Sequence, residues 1–293
     1  PLTNERRQEI YEILNINEEL RKIFSENIKI AQSNNDQIFV NENQTPSWVD
    51  TDNWYYWSKY KDYLLNKYGP EEGLNIVRSI DDSSTKILNL LQDPTLDEIS
   101  QRKGLVVGYV QSGKTSNMQA LIAKAIDSGY KLIILLGGDK NNLRKQTQRR
   151  FDKEIFGKEL VLINREFDSN NNYIRNPKDE YYDSDDFDEF VSYGGSPRKV
   201  ANKPNIVRLT TSKRNINDST FQQIIFQQGD SRFNTKENLK ENDAYVAIVT
   251  KNRAQIDKVT AQINILRNMG TNIDQVPALI IDDESDSSSV STH

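Results

Sequence analysis

Hydrophobic residues in the middle of the chain change their spacing from one segment to the next. Residues 105–107 form a short apolar run. Apolar residues then recur at steps of three and four, at Met118, Leu121, Ile122 and Ala125. That spacing predicts an amphipathic helix, and Gly129 stands where a helix C-terminal cap is expected. Residues 131–136 are almost wholly apolar, as in a buried parallel strand. The order strand, loop, helix and strand predicts one βαβ unit.

Later apolar runs predict further strands of the same sheet. They are residues 161–163, 205–209, 245–249 and 278–281. A helix is predicted from Arg253 to about Met269, closed by Gly270. Strands that alternate with helices predict an α/β fold with a mostly parallel sheet. Residues 167–201 are rich in Asp, Asn and Tyr, and this composition predicts a surface insertion or a partly disordered loop.

Residues 1–97 favour helices. Apolar residues at steps of three and four form a stripe at Ile13, Ile16, Leu20 and Phe24. Residues 81–84 (DDSS) predict the N-terminal cap of a helix that ends near Pro94. Aromatic residues crowd residues 48–63; they could stack on nucleic-acid bases, but the filling of a helical core is the favoured interpretation. We therefore predict a helical N-terminal domain, 1–97, and an α/β domain, 98–293.

Composition excludes several kinds of site. The 293 residues contain no cysteine, which excludes disulfides, a thiol nucleophile and Cys-ligated zinc. Mean hydropathy is −0.75, and no apolar run approaches the ~20 residues of a membrane span. These features, with no secretory signal at the start, fit a cytoplasmic protein without a membrane partner. The net charge of −5 argues against a strongly basic nucleic-acid binder but leaves room for local basic patches.

The candidate chemistry begins directly after the first apolar run. Residues 108–115 (GYVQSGKT) match the phosphate-binding pattern G-x-x-x-x-G-K-[ST] at every fixed position. The glycines let backbone N–H groups surround phosphate oxygens, Lys114 reaches the β and γ phosphates, and the Thr115 hydroxyl binds Mg²⁺. The cofactors predicted are ATP and Mg²⁺. The predicted nucleotide-binding residues are Gly108, Gln111, Ser112, Gly113, Lys114, Thr115 and Ser116.

A second candidate site follows the last apolar run. Residues 282–286 (DDESD) come directly after residues 278–281. Carboxylates at the tip of a core strand are what a Walker B site requires, since one holds Mg²⁺ and a neighbour polarises the attacking water. Acidic clusters after strands are also common as solvated loops. Residues 283–286 (DESD) resemble the DEAD box of superfamily-two helicases, which implies that Asp283 is the Mg²⁺ ligand and Glu284 the catalytic base.

Several segments together resemble one family. The residues concerned are VQSGKT in 110–115, NNLRKQTQRRFD in 141–152, VAIVTKNRAQIDKV in 246–259 and LIIDDESDSSSVST in 279–292. They are similar to the Z-one domain family, described as endonucleases and found beside bacterial restriction and phage-defence genes. The resemblance extends from about residue 82 to the end; Ser285 and Ser291 depart mildly from the family pattern. It implies a RecA-like P-loop lobe of a helicase-like or translocase-like ATPase, with defence proteins as partners.

Residues 140–152 lie where helicase-type enzymes hold the nucleic-acid backbone. Nucleic acid, DNA above all, is the predicted partner, and the candidate contacts are Arg144, Lys145, Gln146, Arg149 and Arg150. The alternatives are a solvated helix face or a contact with another lobe. Thr210, Thr211 and Thr250, just past two predicted strands, are candidate nucleotide-sensing or backbone-sensing residues.

Three rival classes remain open at this point. A GTPase would carry an N-K-x-D motif, and residues 250–253 (TKNR), the nearest match, lack the Asp. A small-molecule kinase would need a lid and an acceptor pocket, which residues 167–201 supply poorly. A nuclease or DNA-binding module could use ATP for regulation or structure alone. Because a two-lobe ATPase places its second lobe after the acidic box, we also expect that the chain is a fragment, and that residues 1–293 bind nucleotide weakly and hydrolyse it negligibly.

Overall fold

The computed structural model describes separate ranges of the chain. They are residues 28–33, 36–41, 54–96, 101–108, 113–163, 166–170, 172–193, 205–217, 220–221, 224 and 243–283. For residues 28–33, 36–41 and 107–108 the description covers the backbone alone. The apolar stripe predicted between Ile13 and Phe24 lies outside these ranges, and so does Trp48.

A small antiparallel sheet replaces part of the helical region that the sequence predicts. Strand β1 (Ile28–Ser33) pairs with β2 (Asp36–Asn41) as a hairpin. Strand β3 (Val106–Gly108) then pairs antiparallel with β2. The helical prediction is therefore wrong for residues 28–41. Strand β3 forms as predicted, but its partner is β2 and not the strand at residues 132–137.

Two helices make up the rest of the first region. Helix α1 is Tyr56–Tyr68 and helix α2 is Pro70–Leu90. Gly69, at φ 79°, separates them. Helix α2 runs without a break through residues 81–84, so the N-terminal cap predicted there is wrong. The Ser84 hydroxyl instead donates to the Ile80 carbonyl one turn earlier in the same helix, an alternative use of such a side chain.

The aromatic residues near the start of α1 fill the core. Trp57 and Tyr60 are fully buried, and Tyr56 is 1% exposed. They share one hydrophobic cluster with residues of the parallel sheet, including Ile133 and Val246. Their interpretation as core residues is confirmed, and α1 and α2 pack against the α/β region rather than forming a separate core.

The main sheet is all parallel. Its strands are β4 (Leu132–Gly137), β5 (Ile206–Arg208), β6 (Ala244–Val249) and β7 (Ala278–Asp283). They lie in the order β5-β6-β4-β7. A parallel sheet with helices between its strands confirms the α/β class. The strand predicted at 161–163 is wrong, because a short helix ends there at Val161.

Helices cover both faces of this sheet. Helices α3 (Lys114–Asp127) and α4 (Asn141–Phe151) contribute to the cluster that contains Ile133 and Leu135. A π-helical turn and the short helix α5 (Lys158–Val161) follow α4. Helix α6 (Arg253–Asn268) packs on the other face, against Ile134 and Ala247. Its predicted extent is confirmed, and Gly270 follows it at φ 90°.

Part of the predicted surface insertion is folded against the domain. Tyr181, Phe187 and Phe190 are buried, and they form an apolar cluster with Val161 and Leu162. The alternative of a partly disordered loop is wrong for residues 172–193, because aromatic side chains spaced between the acidic ones are buried. The alternative of a surface insertion agrees with the many exposed residues of this segment. Residues 194–201 lie outside the described ranges.

No helix among the described residues combines the length and the apolar character of a membrane-crossing segment.

Candidate nucleotide site

The first turn of α3 carries the residues of the phosphate-binding motif. Gly113 precedes the helix in a left-handed conformation, at φ 88° and ψ 13°, and its carbonyl accepts the N–H of Asn117. Gly113 and Lys114 are exposed, while Thr115 and Ser116 are half-buried. Exposed N–H groups at a helix N-terminus, with a lysine beside them, can bind an anion.

The remaining motif residues are only partly described. Gly108 ends β3, and the predicted ligands Gln111 and Ser112 lie outside the described ranges. The helix forms where the sequence predicts it, and its predicted apolar stripe is buried. The amphipathic character is wrong, because every residue from 117 to 126 is buried. The helix is therefore held firmly against the sheet, with its first turn facing solvent.

The topology places this first turn at the carboxyl edge of the parallel sheet. Only residues 128–131 connect α3 to β4, so the helix must reverse direction onto the strand that follows it. Its C-terminus then lies near the start of β4 and its N-terminus near the end. In parallel α/β sheets, ligands bind at this edge.

The acidic end of β7 lies at the same edge. In the parallel register Asp282 lies beside Leu136, and Asp283 beside Gly137. Side chains alternate along a strand; Leu279 and Ile281 face the α3 side of the sheet, and Asp283 has the same parity. Asp282 faces the other side, where its carboxylate lies 2.7 Å from Lys251 Nζ. Of the two aspartates, the structure thus directs Asp283 toward the α3 side. Glu284 lies outside the described ranges.

Strand β3 does not join the parallel sheet. The βαβ unit predicted from the sequence requires β3 and β4 in one sheet, whereas β3 pairs with β2. An apolar run predicts a strand without identifying the strand that it pairs with. Here β3 pairs with β2 of the hairpin. Among the described strands of the parallel sheet, only β4 pairs with β7.

The basic residues of α4 divide into internal and external groups. Arg144 is 1% exposed, and its guanidinium donates to the carbonyls of Thr211 at 2.9 Å and Ser212 at 3.1 Å. Arg149 forms an ion pair with Asp186. Arg144 is therefore not available for the nucleic-acid contact that the sequence predicts, and Arg149 is already paired. Helical periodicity alone could not show this, because the charges spread over more than half of the helix.

The other predicted contacts remain accessible. Lys145 and Gln146 are exposed, and Arg150 is half-buried. The structure therefore leaves three of the predicted nucleic-acid residues at or near the surface.

Two of the threonines at the strand ends, Thr210 and Thr250, are buried and hydrogen-bonded within the protein. Thr210 is fully buried; its hydroxyl donates to Gln148 Oε1 at 2.8 Å and accepts the N–H of Ile248 at 2.9 Å. Thr250 is 1% exposed and accepts a hydrogen bond from Asn215. The sensing role predicted for these threonines stays a prediction.

Sequence reasoning missed a basic rim on this edge. Exposed Lys213 and Arg214 follow β5. Arg253 follows β6; it has 95% of its side chain exposed and lies 3.7 Å from Asp257 in an exposed ion pair, which is weak in solvent. Hydrogen bonds connect the loops that carry them: the N–H of Lys251 donates to the Gly138 carbonyl at 2.7 Å, and Asn215 donates to Thr250. A possible signal was present, since each basic residue comes shortly after an apolar strand run.

A buried ionic network lies beneath the rim. Arg208 contacts Asp152 at 2.8 Å and Glu180 at 2.8 Å. Asp152 is fully buried, and burial raises the pKa of its carboxyl to about 6, against the opposing effect of Arg208. Glu180 also accepts the N–H of Ser212. The network joins the π turn, β5 and the insertion, and it holds the loop that carries Lys213.

Comparison of the chain with protein-family models, curated proteins and solved structures found no match. Among the described residues, no group of three or more His, Asp or Glu side chains is arranged to hold a metal ion. The assignment of the site therefore depends on the motif residues and on their position in the fold.

Proposed function

We propose that this chain contains the nucleotide-binding lobe of a Mg²⁺-dependent ATPase of the RecA-like P-loop type. One observation carries the proposal: the first turn of α3, with Gly113, Lys114 and Thr115, and the β7 residue Asp283 belong to the same side and the same edge of a parallel sheet. A phosphate-binding motif and a Walker B carboxylate require this combination.

Each residue has a distinct role in the proposed site. Backbone N–H groups at the start of α3 and the Lys114 ammonium bind the phosphates of ATP. The Thr115 hydroxyl and Asp283 would hold Mg²⁺, which neutralises charge on the transferred phosphoryl group. Glu284 removes a proton from the attacking water. Gly108, Gln111, Ser112 and Ser116 complete the proposed nucleotide-binding residues.

Loss of the Lys114 charge provides the first test. We expect Lys114→Ala to weaken ATP binding about tenfold or more, since a charge-assisted hydrogen bond contributes about 1.5–3 kcal/mol. Titration calorimetry with MgATP on folded protein measures the effect. Lys178→Ala removes an equal charge from an exposed site in the insertion and is expected to bind as the wild type does. Equal affinities for all three proteins would rule out the proposed site.

We further propose that the ATPase acts on nucleic acid, as a helicase-like or translocase-like enzyme of phage defence. The support is the resemblance to the Z-one domain family together with the rim formed by Lys213, Arg214 and Arg253. These cations lie in segments that follow the carboxyl ends of β5 and β6, at the edge where ATP is proposed to bind. On a chain with a net charge of −5, this rim is a local site for a phosphodiester backbone.

Charge reversal on the rim tests this second step. We expect Lys213→Glu/Arg214→Glu to reduce the affinity for a single-stranded oligonucleotide about tenfold or more, and to lower the slope of log affinity against log salt by about one to two. Fluorescence anisotropy over a salt series measures both values. Arg78→Glu/Lys178→Glu, at exposed positions elsewhere, makes the same change in net charge. If the two double variants behave alike, the rim is not the nucleic-acid surface.

A further inference from the structure

The exposed phosphate-binding turn of α3 is followed at once by a buried segment. Nothing lies within 4 Å of the position that a Gly113 Cβ would occupy, and Lys114 is exposed. Asn117 is 8% exposed, and Gln119 is fully buried. The protein therefore fixes the direction of the first turn through the residues that follow the motif, because the described motif residues have few contacts of their own.

Polar contacts from the helical region reach this buried segment. The Tyr60 hydroxyl, on α1, donates to Gln119 Oε1 at 3.2 Å. The Ser83 hydroxyl, on α2, donates to Asn117 Oδ1. Each of these helices thus holds a residue within two turns of Lys114.

The same helices hold the other end of α3. Asp127, its last residue, accepts the N–H groups of Tyr56 and Trp57, each at 3.0 Å. Lys124 is fully buried, and its ammonium donates to the Asp81 carboxylate at 2.7 Å and to the Ser84 hydroxyl at 2.8 Å. Helices α1 and α2 therefore contact α3 along its length through directional bonds.

Directional bonds matter because apolar packing alone sets the orientation of a helix loosely. Hydrophobic contacts are non-directional, whereas hydrogen bonds weaken steeply as their angles depart from linearity. A rotation of α3 about its own axis could keep most apolar contacts while moving the Lys114 ammonium and the Thr115 hydroxyl. The bonds of Tyr60 and Ser83 oppose such a rotation at the end where the phosphates are proposed to bind.

We propose that Tyr60 and Ser83 are positioning residues for the nucleotide site: through Gln119 and Asn117 they set the direction of the first turn of α3. This inference rests on the proposed nucleotide function. Both side chains are buried, so in this proposal they act on the site through α3 and not as ligands.

Two tyrosines one turn apart on α1 allow a matched test. Tyr60→Phe removes the hydroxyl that bonds to α3. Tyr63→Phe removes a hydroxyl that bonds to Glu154 at 3.2 Å, outside α3. The fluorescent probe is N-methylanthraniloyl-ADP, titrated into the chain with and without Mg²⁺, and thermal unfolding is measured on the same samples. We expect Tyr60→Phe to weaken probe binding with Mg²⁺ about three- to tenfold, the value of one lost hydrogen bond, while Tyr63→Phe stays within about twofold of wild type.

The Mg²⁺ dependence separates positioning from general loss of structure. A displaced Thr115 hydroxyl should reduce the gain in affinity that Mg²⁺ provides, and a mere fall in stability leaves that gain unchanged in the folded fraction. If Tyr60→Phe keeps the wild-type gain and affinity, the positioning role is overturned. If Tyr60→Phe does not fold, Ser83→Ala carries the same test. A wild-type chain that does not bind the probe, or binds it as Lys114→Ala does, contradicts the proposed function instead.

Discussion

Replacement of Glu284 by glutamine is expected to abolish ATP turnover while ATP binding persists. The amide keeps the size and hydrogen-bonding reach of the side chain but cannot accept a proton from the attacking water. General-base contributions of this kind are typically about 10²–10⁴ in rate. Because the contacts to the phosphates are proposed to come from α3, the dissociation constant for MgATP should stay near the wild-type value.

A neighbouring carboxylate provides the control. Asp282 faces away from α3 and forms an ion pair with Lys251, so Asp282→Asn should retain turnover within a few-fold. The rate of phosphate release at saturating ATP is measured for both variants and for the wild type, with a protein sample whose wild-type turnover has first been demonstrated. If Glu284→Gln hydrolyses ATP at the wild-type rate, another group is the base; Asp286 is then the next candidate. A loss in Asp282→Asn equal to that in Glu284→Gln would also contradict the assignment.

The second large effect concerns the stability of the fold. We expect Arg208→Met to lower the free energy of unfolding by about 3–5 kcal/mol. The replacement leaves Asp152, fully buried, and Glu180 together without their shared cation. Removal of one partner from a buried ionic group is far more costly than replacement of the whole group, because the remaining charges stay desolvated and uncompensated.

The matched variant is therefore the complete replacement. Asp152→Asn/Glu180→Gln/Arg208→Met removes both carboxylates with the arginine, and we expect it to recover a large part of the loss. Urea denaturation followed by circular dichroism compares the two variants with wild type. A loss below about 1 kcal/mol in Arg208→Met, or a triple variant less stable than the single one, would show that the network contributes little to stability.

The sequence and the structure agree most closely where a pattern is local. The apolar spacing of α3 depends on the geometry of one helix, so the helix is predicted correctly, although its burial on all sides is not. Helix α6 and strands β4 and β6 also form as predicted. Strand β7 forms at the predicted position, but it ends the order of described strands and its Ile280 is 62% exposed, so its prediction as a buried strand is wrong. The phosphate motif is local too, since Gly113, Lys114 and Thr115 need only a loop and the first turn of a helix.

Predictions that depended on contacts between residues distant in the sequence were less successful. The charge of Arg144 indicated a surface contact, yet its guanidinium binds the carbonyls of a loop distant in sequence. The acidic insertion was predicted to be a surface segment or a partly disordered loop, yet its aromatic residues pack on Val161 and Leu162. In both cases the side chain contacts a group that is distant in the sequence, so a local pattern of residues does not reveal the contact.

The sequence by itself determined the α/β class and the positions of the G-x-x-x-x-G-K-T segment and of the acidic strand end, because each depends on residue types at fixed short spacings. The tertiary structure alone decided that β3 pairs with β2, that Asp283 rather than Asp282 faces the α3 side, and that Tyr60 and Ser83 hold α3. These outcomes depend on which edges and faces meet in space. A strand edge or a buried hydroxyl can hydrogen-bond with any partner of suitable geometry. Which partner it meets depends on the arrangement of all elements in the fold.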